Sequence, residues 1–223
     1  MEFSEFTLAA ATADLEDEPL AREHADILEY RMDLADDPLD ALDSYDGDLP
    51  LLVTNRAEWE GGDAADDDAR LDALEVAVEN DAVGAVDIEL ASVLDGDGER
   101  VVGAARDAGA SVVVSVHDFE GTPLRQDMRG LLGNAIEHGD VGKLAVTAST
   151  PGDVLDLLTV TYEYELEGER VATMAMGAAG KHSRAVAPAY GSKIGYAPVR
   201  ARDATAPGQY DLETLRELVG ALS

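Results

Sequence analysis

The chain of 223 residues has no cysteine, which excludes both a disulfide framework and a thiolate metal site. It has almost no lysine: Lys143, Lys181 and Lys193 are the only three. No apolar run approaches the roughly 18 residues that a membrane span needs. The opening "MEFSEFTLAAATADLEDEP" is acidic and lacks the basic n-region of a secretory signal. A cytoplasmic location is the expectation that follows. Also missing is a G-x-G-x-x-G after the first apolar run, which argues against an open dinucleotide-binding sheet.

Positive charge is scarce altogether. Against 47 Asp and Glu stand 16 Lys and Arg, a formal net charge of −31. Such a surface disfavours non-specific binding to nucleic acid or anionic membrane. A hydrophobic content of 46% and regular apolar runs argue against a disordered or nucleic-acid-mimicking chain. The composition reads instead as halophilic, because molar salt shortens the Debye length to about 3 Å and screens the repulsion. The run "DAADDDAR" (63–70) lacks the alternating ligands and turn glycine of a calcium loop. It reads as a solvated face, and no metal is expected.

What is present is a regular alternation. Apolar runs at 6–12, 26–34, 49–55, 84–90, 110–117, 142–148, 170–176 and 192–198 predict eight strands. Between them lie helical patterns, among them "DDARLDALEVAVEND", "DGERVVGAARDAG", "PLRQDMRGLLGNAIEHG", "TPGDVLDLLTVTYEYEL" and the terminal "DLETLRELVGAL". In the fourth of these, Thr150 is placed to cap and Pro151 to open a helix. Continuous apolar strands separated by helices indicate a parallel sheet covered by helices. Eight such units over this length predict a single-domain α/β fold, a (β/α)₈ TIM barrel spanning 1–223.

Catalytic groups of such barrels gather at the C-terminal ends of strands. Those ends carry Glu29 and Arg31, Arg56 with Glu60, Glu89, His117, Lys143, Arg184 and Gln209. The run "VVVSVHDFEG" ends a buried strand on His117, although an apolar strand needs no imidazole at its tip. Lys143 lies early in the next strand, "GKLAV". Adjacent strands are about 4.8 Å apart, so inward residues on the two can exchange protons. A desolvated lysine beside another cation is favoured as the neutral amine, the form that makes a Schiff base with a carbonyl. The plain alternative, that Lys143 snorkels and His117 caps a core, stands equally at this point. Arg31, Arg56, Arg184 and Arg202 at one rim suggest an anionic ligand, most simply a carboxylate. "MGAAGKHS" (176–183) has glycines too close for a phosphate loop and His182 where Ser or Thr belongs. A tight loop near an anion site is expected there. His24 and His138 read as surface residues and Trp59 as a packing residue.

Six segments together resemble the type I 3-dehydroquinate dehydratases: "EYRMD" (29–33), "RAEWEGG" (56–62), "SVHDF" (115–119), "GKLAV" (142–146), "MAMGAAGKHSR" (174–184) and "ATAPGQ" (204–209). Any one is weak; six in the family's order are specific, and they span nearly the whole chain. The resemblance implies a cofactor-independent hydro-lyase of the shikimate pathway, acting on 3-dehydroquinate and forming a homodimer. It implies that Lys143 forms the imine, that His117 moves protons and that Glu60 orients His117. Glu29, Arg31 and Arg56 would bind the polar face of the substrate, and Arg184 its carboxylate, with Thr205 and Gln209 closing over it. The chain departs from the family in having Tyr30 where tryptophan is common, Thr205 for serine, and alanine in "LAAAT" where the first strand often carries serine. Two other readings remain open. Another Schiff-base lyase, such as an aldolase, would share Lys143 without needing the other segments. An acidic scaffold protein would give the three lysines no special place.

Overall fold

The computed structural model describes residues 1–200, 202, 206 and 208–222. Eight strands, all paired in parallel, form one sheet: β1 (Thr7–Thr12), β2 (Ile27–Arg31), β3 (Leu51–Thr54), β4 (Val83–Glu89), β5 (Ser111–Asp118), β6 (Val141–Thr147), β7 (Val171–Met176) and β8 (Ile194–Pro198). Sheet order is β7-β6-β5-β4-β3-β2-β1-β8, so β1 joins its neighbour in sequence to the last strand and the sheet curls into a barrel. The seam between β7 and β8 is narrow. There the described residues form one isolated bridge, Val171 with Ser192, and the Ser192 hydroxyl accepts the Thr173 N–H at 2.9 Å.

Ten helices among the described residues accompany the strands: α1 (Glu18–Ala21), α2 (Pro38–Asp43), α3 (Asp67–Ala77), α4 (Leu90–Leu94), α5 (Glu99–Ala108), α6 (Arg125–His138), α7 (Pro151–Glu167), α8 (Gly177–Gly180), α9 (Ser183–Val186) and α10 (Leu212–Leu222). The five long ones are those that the sequence pattern predicts. Helix α7 begins as its sequence requires. The Thr150 hydroxyl accepts the Asp153 N–H at 3.3 Å, and the Asp153 carboxylate accepts the Thr150 N–H at 2.8 Å. Such a cap is worth about 1 kcal/mol. The predicted strand 26–34 is shorter than its apolar run. It ends at Arg31, and Met32–Leu34 turn into a 3₁₀ helix as Arg31 folds back to donate twice to Asp33, at 2.8 and 2.6 Å. The segment after β7, expected as a tight loop, is instead two helical turns, α8 and α9.

Strand alternation sorts the core. Val112 and Val114 of β5 face the helices, whereas Val113 faces inward with Ala9, Leu52, Ala85 and Ala172. All seven are fully buried. Burying a valine or leucine contributes about 1.5–3 kcal/mol, and the small inward alanines let opposite walls approach. The lower barrel is therefore packed solid. Polar side chains begin above this plug, and the site begins with them.

Candidate active site

Four even-numbered strands supply one inward layer: Glu29 on β2, Asp87 on β4, Lys143 on β6 and Tyr196 on β8. All four are at most 5% exposed. Alternate strands filling a layer is the expected packing of an eight-stranded barrel. Lys143 neither snorkels nor stands alone in the interior. Its Nζ donates to Asp87 Oδ2 at 2.8 Å and lies 4.2 Å from the centroid of the Tyr196 ring. Asp87 also accepts from Arg56 Nη2 at 2.5 Å and from the Ser115 hydroxyl at 2.6 Å. Burial alone would raise the Asp87 carboxyl, but the charges of Arg56 and Lys143 outweigh it and hold the group far below the usual carboxylate range. Asp87 is thus a fixed counter-ion, not a proton acceptor.

His117 stands one layer higher. It pairs in register with Ala145, two residues beyond Lys143 on the same inward face of β6. Its Nδ1 lies 2.8 Å from Glu60 Oε1. Burial, then the positive charges of Arg56 and Lys143, hold the imidazole well below its ordinary value, so it is neutral near pH 7. Burial pushes the Glu60 carboxyl up to about 8 against the lowering charge of Arg56. Two buried groups with opposed shifts and one shared hydrogen bond titrate as a pair.

The R-x-x-x-E-G-G segment explains how Glu60 arrives there. Glu58–Glu60 form a 3₁₀ turn, closed by Gly61 in the left-handed region at φ 80°. A Cβ on Gly62 would stand 2.1 Å from the Arg56 carbonyl oxygen, and one on Gly61 would strike the Phe119 ring. That ring stacks beside His117, at 6.1 Å between centroids. The two glycines are therefore what lets the loop press Glu60 onto the histidine. A similar close approach places Arg184. A Cβ on Gly180 would meet Ala175 backbone at 2.6 Å, and the Ser183 hydroxyl accepts the Ala175 N–H at 2.9 Å.

The arginines divide by partner. Arg56 is committed to Asp87, Glu89 and Ser115, with Glu60 at 3.7 Å. Arg31 is committed to Asp33. Arg184 differs: it is 5% exposed, and among the described residues its Nε has no hydrogen-bond partner and no carboxylate forms an ion pair with it. Burial alone lowers it to about 10. A buried guanidinium without a carboxylate, in a chain with 47 acids, has the chemistry to receive an anion.

One pocket is lined by Glu29, Arg31, Arg56, Glu60, His117, Lys143, Arg184 and Gln209. Every site residue expected from the sequence is in it except Thr205, which lies outside the described residues. Arg202 is exposed and not among the lining residues, so it drops out of the rim cluster. His182 is also exposed and away from the pocket. His24 and His138 are half-buried, not fully surface. Trp59, expected to pack, is 52% exposed, with its indole N–H donating to Asp67. Of the three lysines, only Lys143 is buried; Lys193 pairs with Glu165, and Lys181 lies over the Tyr210 ring.

Sequence reasoning missed Asp87, Tyr196, Ser115 and Arg70. The signal for Asp87 was available: an aspartate inside "GAVDIEL" is as anomalous as a lysine inside "GKLAV". Arg70 had none. It reaches from α3 to Glu89 at 2.7 Å and to Ser92 at 2.7 Å, a contact that helical periodicity does not reveal.

The chain is 65% identical to the 3-dehydroquinate dehydratase of Haloarcula marismortui over 225 residues, covering 100% of this chain and 98% of the relative. It is 55% identical to that of Halobacterium salinarum, covering all of both. Among solved structures, the 3-dehydroquinate dehydratase of Geobacillus kaustophilus superposes with a TM-score of 0.83 at 29% identity, over 98% of this chain and 91% of that one. The family model of the type I 3-dehydroquinases matches residues 7–223. With the resembling segments converging on one pocket at the barrel mouth, that match leaves one assignment: the chain belongs to the type I 3-dehydroquinase family.

Proposed function

We propose that this chain is one catalytic barrel domain that dehydrates 3-dehydroquinate to 3-dehydroshikimate and water through an imine on Lys143. One observation carries the reading. The buried Lys143 nitrogen, the His117–Glu60 pair and the unmatched Arg184 guanidinium line the same pocket. A nucleophilic amine, a proton carrier and a carboxylate receptor are what a keto-acid imine reaction needs.

The Lys143 nitrogen attacks the C3 ketone, and loss of water gives an iminium. That cation draws electrons from C2 when His117 removes a C2 proton, leaving an enamine. The enamine expels the C1 hydroxyl, which takes the proton from His117 and leaves as water. Hydrolysis of the conjugated iminium frees the product and the amine. Glu60 accepts the Nδ1–H of His117, which leaves the other ring nitrogen as the base. Arg184 binds the carboxylate, Gln209 and Thr205 close over it, and Glu29, Arg31 and Arg56 face the hydroxyls. No cofactor takes part in the scheme. Homodimeric assembly and a cytoplasmic location complete the proposal on the strength of the family resemblance; exposed Leu155, Tyr162 and Leu166 on α7 offer an apolar face for the former.

Borohydride reduction in the presence of 3-dehydroquinate, followed by peptide mass spectrometry, tests it. The adduct is expected on Lys143, and Lys143→Ala should lose both adduct and turnover. An adduct that persists on Lys181 or Lys193 in that variant would overturn the assignment, as would an aldolase-type product.

A further inference from the structure

The reaction scheme leaves one group on the pocket floor idle. Tyr196 is 5% exposed and lines the pocket, and its hydroxyl has no hydrogen-bond partner among the described residues. The charges of Asp87 and Glu29 reach this phenol, yet neither carboxylate accepts its proton. Asp87 is taken by Arg56, Ser115 and Lys143, and Glu29 Oε1 accepts from Thr54 at 3.1 Å. A buried donor left unmatched is costly in a native fold and calls for a reason. Its location supplies one: the ring lies against the Lys143 nitrogen, 4.2 Å from centroid to Nζ.

We propose that Tyr196 is a further catalytic residue, whose hydroxyl donates a hydrogen bond to the ketone oxygen that Lys143 attacks and whose ring holds the attached nitrogen. The inference rests on the imine reading above. When the neutral amine bonds to the carbonyl carbon, the carbonyl π pair moves onto oxygen and negative charge develops there. Tyr196 O–H donates to that oxygen without surrendering its proton. That oxygen takes two protons, one lost from nitrogen and a second delivered by the His117–Glu60 pair, and leaves as water. A fixed donor aimed at developing charge requires no reorganisation at the moment of attack. Burial, with the nearby charges of Asp87 and Glu29, raises the phenol well above its usual value, so it is a donor at every working pH. The ring serves a second purpose. Nitrogen is cationic as the iminium, and an aromatic face stabilises that charge.

Tyr196→Phe keeps the ring and the packing and removes only the donor. Rapid mixing with 3-dehydroquinate and quenching with borohydride gives the rate at which the Lys143 adduct forms. The rate should fall at least about tenfold, up to the roughly 10²–10³-fold lost with a strong oxyanion donor. KM should change little, because the donor acts on charge absent from the bound ketone. Tyr196→Leu, which also removes the ring, should be slower still. Adduct formation at the parental rate in Tyr196→Phe, with the parent adduct on Lys143, overturns this inference and leaves the imine reading intact. A parent enzyme that gives no Lys143 adduct overturns the imine reading, and this inference with it.

Discussion

The outside and the inside of this barrel use charge in opposite ways. Outside, acids dominate and ion pairs are open to solvent. Arg100 meets Asp72 and Glu75, and Arg125 meets Asp156, with both partners substantially exposed. Inside, Arg56, Arg70, Lys143 and Arg184 are each at most 5% exposed, so four of the 16 basic residues are spent on the interior. There Arg56–Asp87, Lys143–Asp87 and Arg70–Glu89 form one connected array. An exposed pair is worth little and is screened by salt. A buried pair is not screened, and removing one partner strands the other. The acidic exterior is thus a solvent adaptation, while the interior is a placement device. The few cations that the exterior lacks are gathered in that interior.

His117→Ala should separate the regions most sharply. Losing the proposed proton carrier should lower kcat by about 10²–10⁴-fold, equally at low and molar salt, while the Lys143 adduct still forms, more slowly, and accumulates. Near-normal turnover would make His117 a strand cap.

Arg70→Ala tests the array without touching the pocket wall. Glu89 keeps Arg56 as a partner, so the loss of stability should lie toward the lower end of the roughly 3–5 kcal/mol for breaking a buried pair. Denaturant unfolding in low and molar salt should give the same figure. A loss that vanishes in molar salt would mean that the interior obeys the surface rule.

Arg184→Ala should raise KM by about 10–10²-fold, the scale of a charge-assisted hydrogen bond. Arg184→Lys should recover only part of it, since an ammonium cannot match the fork of a carboxylate. Arg202→Ala, outside the pocket, should change KM least. A crippled Arg202 variant beside a normal Arg184 variant would relocate the carboxylate site.

The pH profile gives a subtler contrast. Below about 8 the Glu60–His117 pair carries an extra proton, which occupies the ring nitrogen that must act as base. Raising the pH through that value removes it, so kcat/KM should rise. Glu60→Gln should abolish this ascending limb, and a limb unchanged in the variant would assign the titration elsewhere. The smallest effect belongs to the exterior. Arg100→Gln should cost about 0.5 kcal/mol or less at low salt and nothing measurable in molar salt, even though melting of the whole protein, at a charge of −31, should rise with salt.

Much of this was legible in the chain. Eight apolar runs, a valine strand ending in histidine and a lysine inside another strand suffice to expect the barrel and two of its central groups. Hydrophobic periodicity and strand direction are local properties, so they can be read locally. Resembling segments then named the partners. The short helices α1, α2, α8 and α9 were not legible, because four to six residues carry too little periodicity to separate a helix from a loop. Nor was the extent of β2, whose apolar run continues past the turn that Arg31 and Asp33 impose.

By itself, the sequence determined the alternation of strand and helix, the salt-adapted surface and the identity of the residues able to do chemistry. Only the tertiary structure decided their states. It paired Lys143 with Asp87 and the Tyr196 ring, engaged Arg56 and Arg31 with acids, and left Arg184 unmatched. It also brought Glu60, 57 positions away in the chain, onto His117. A side chain's partner and its protonation depend on what other strands bring within a few ångströms in a dry interior, and no single segment carries that information.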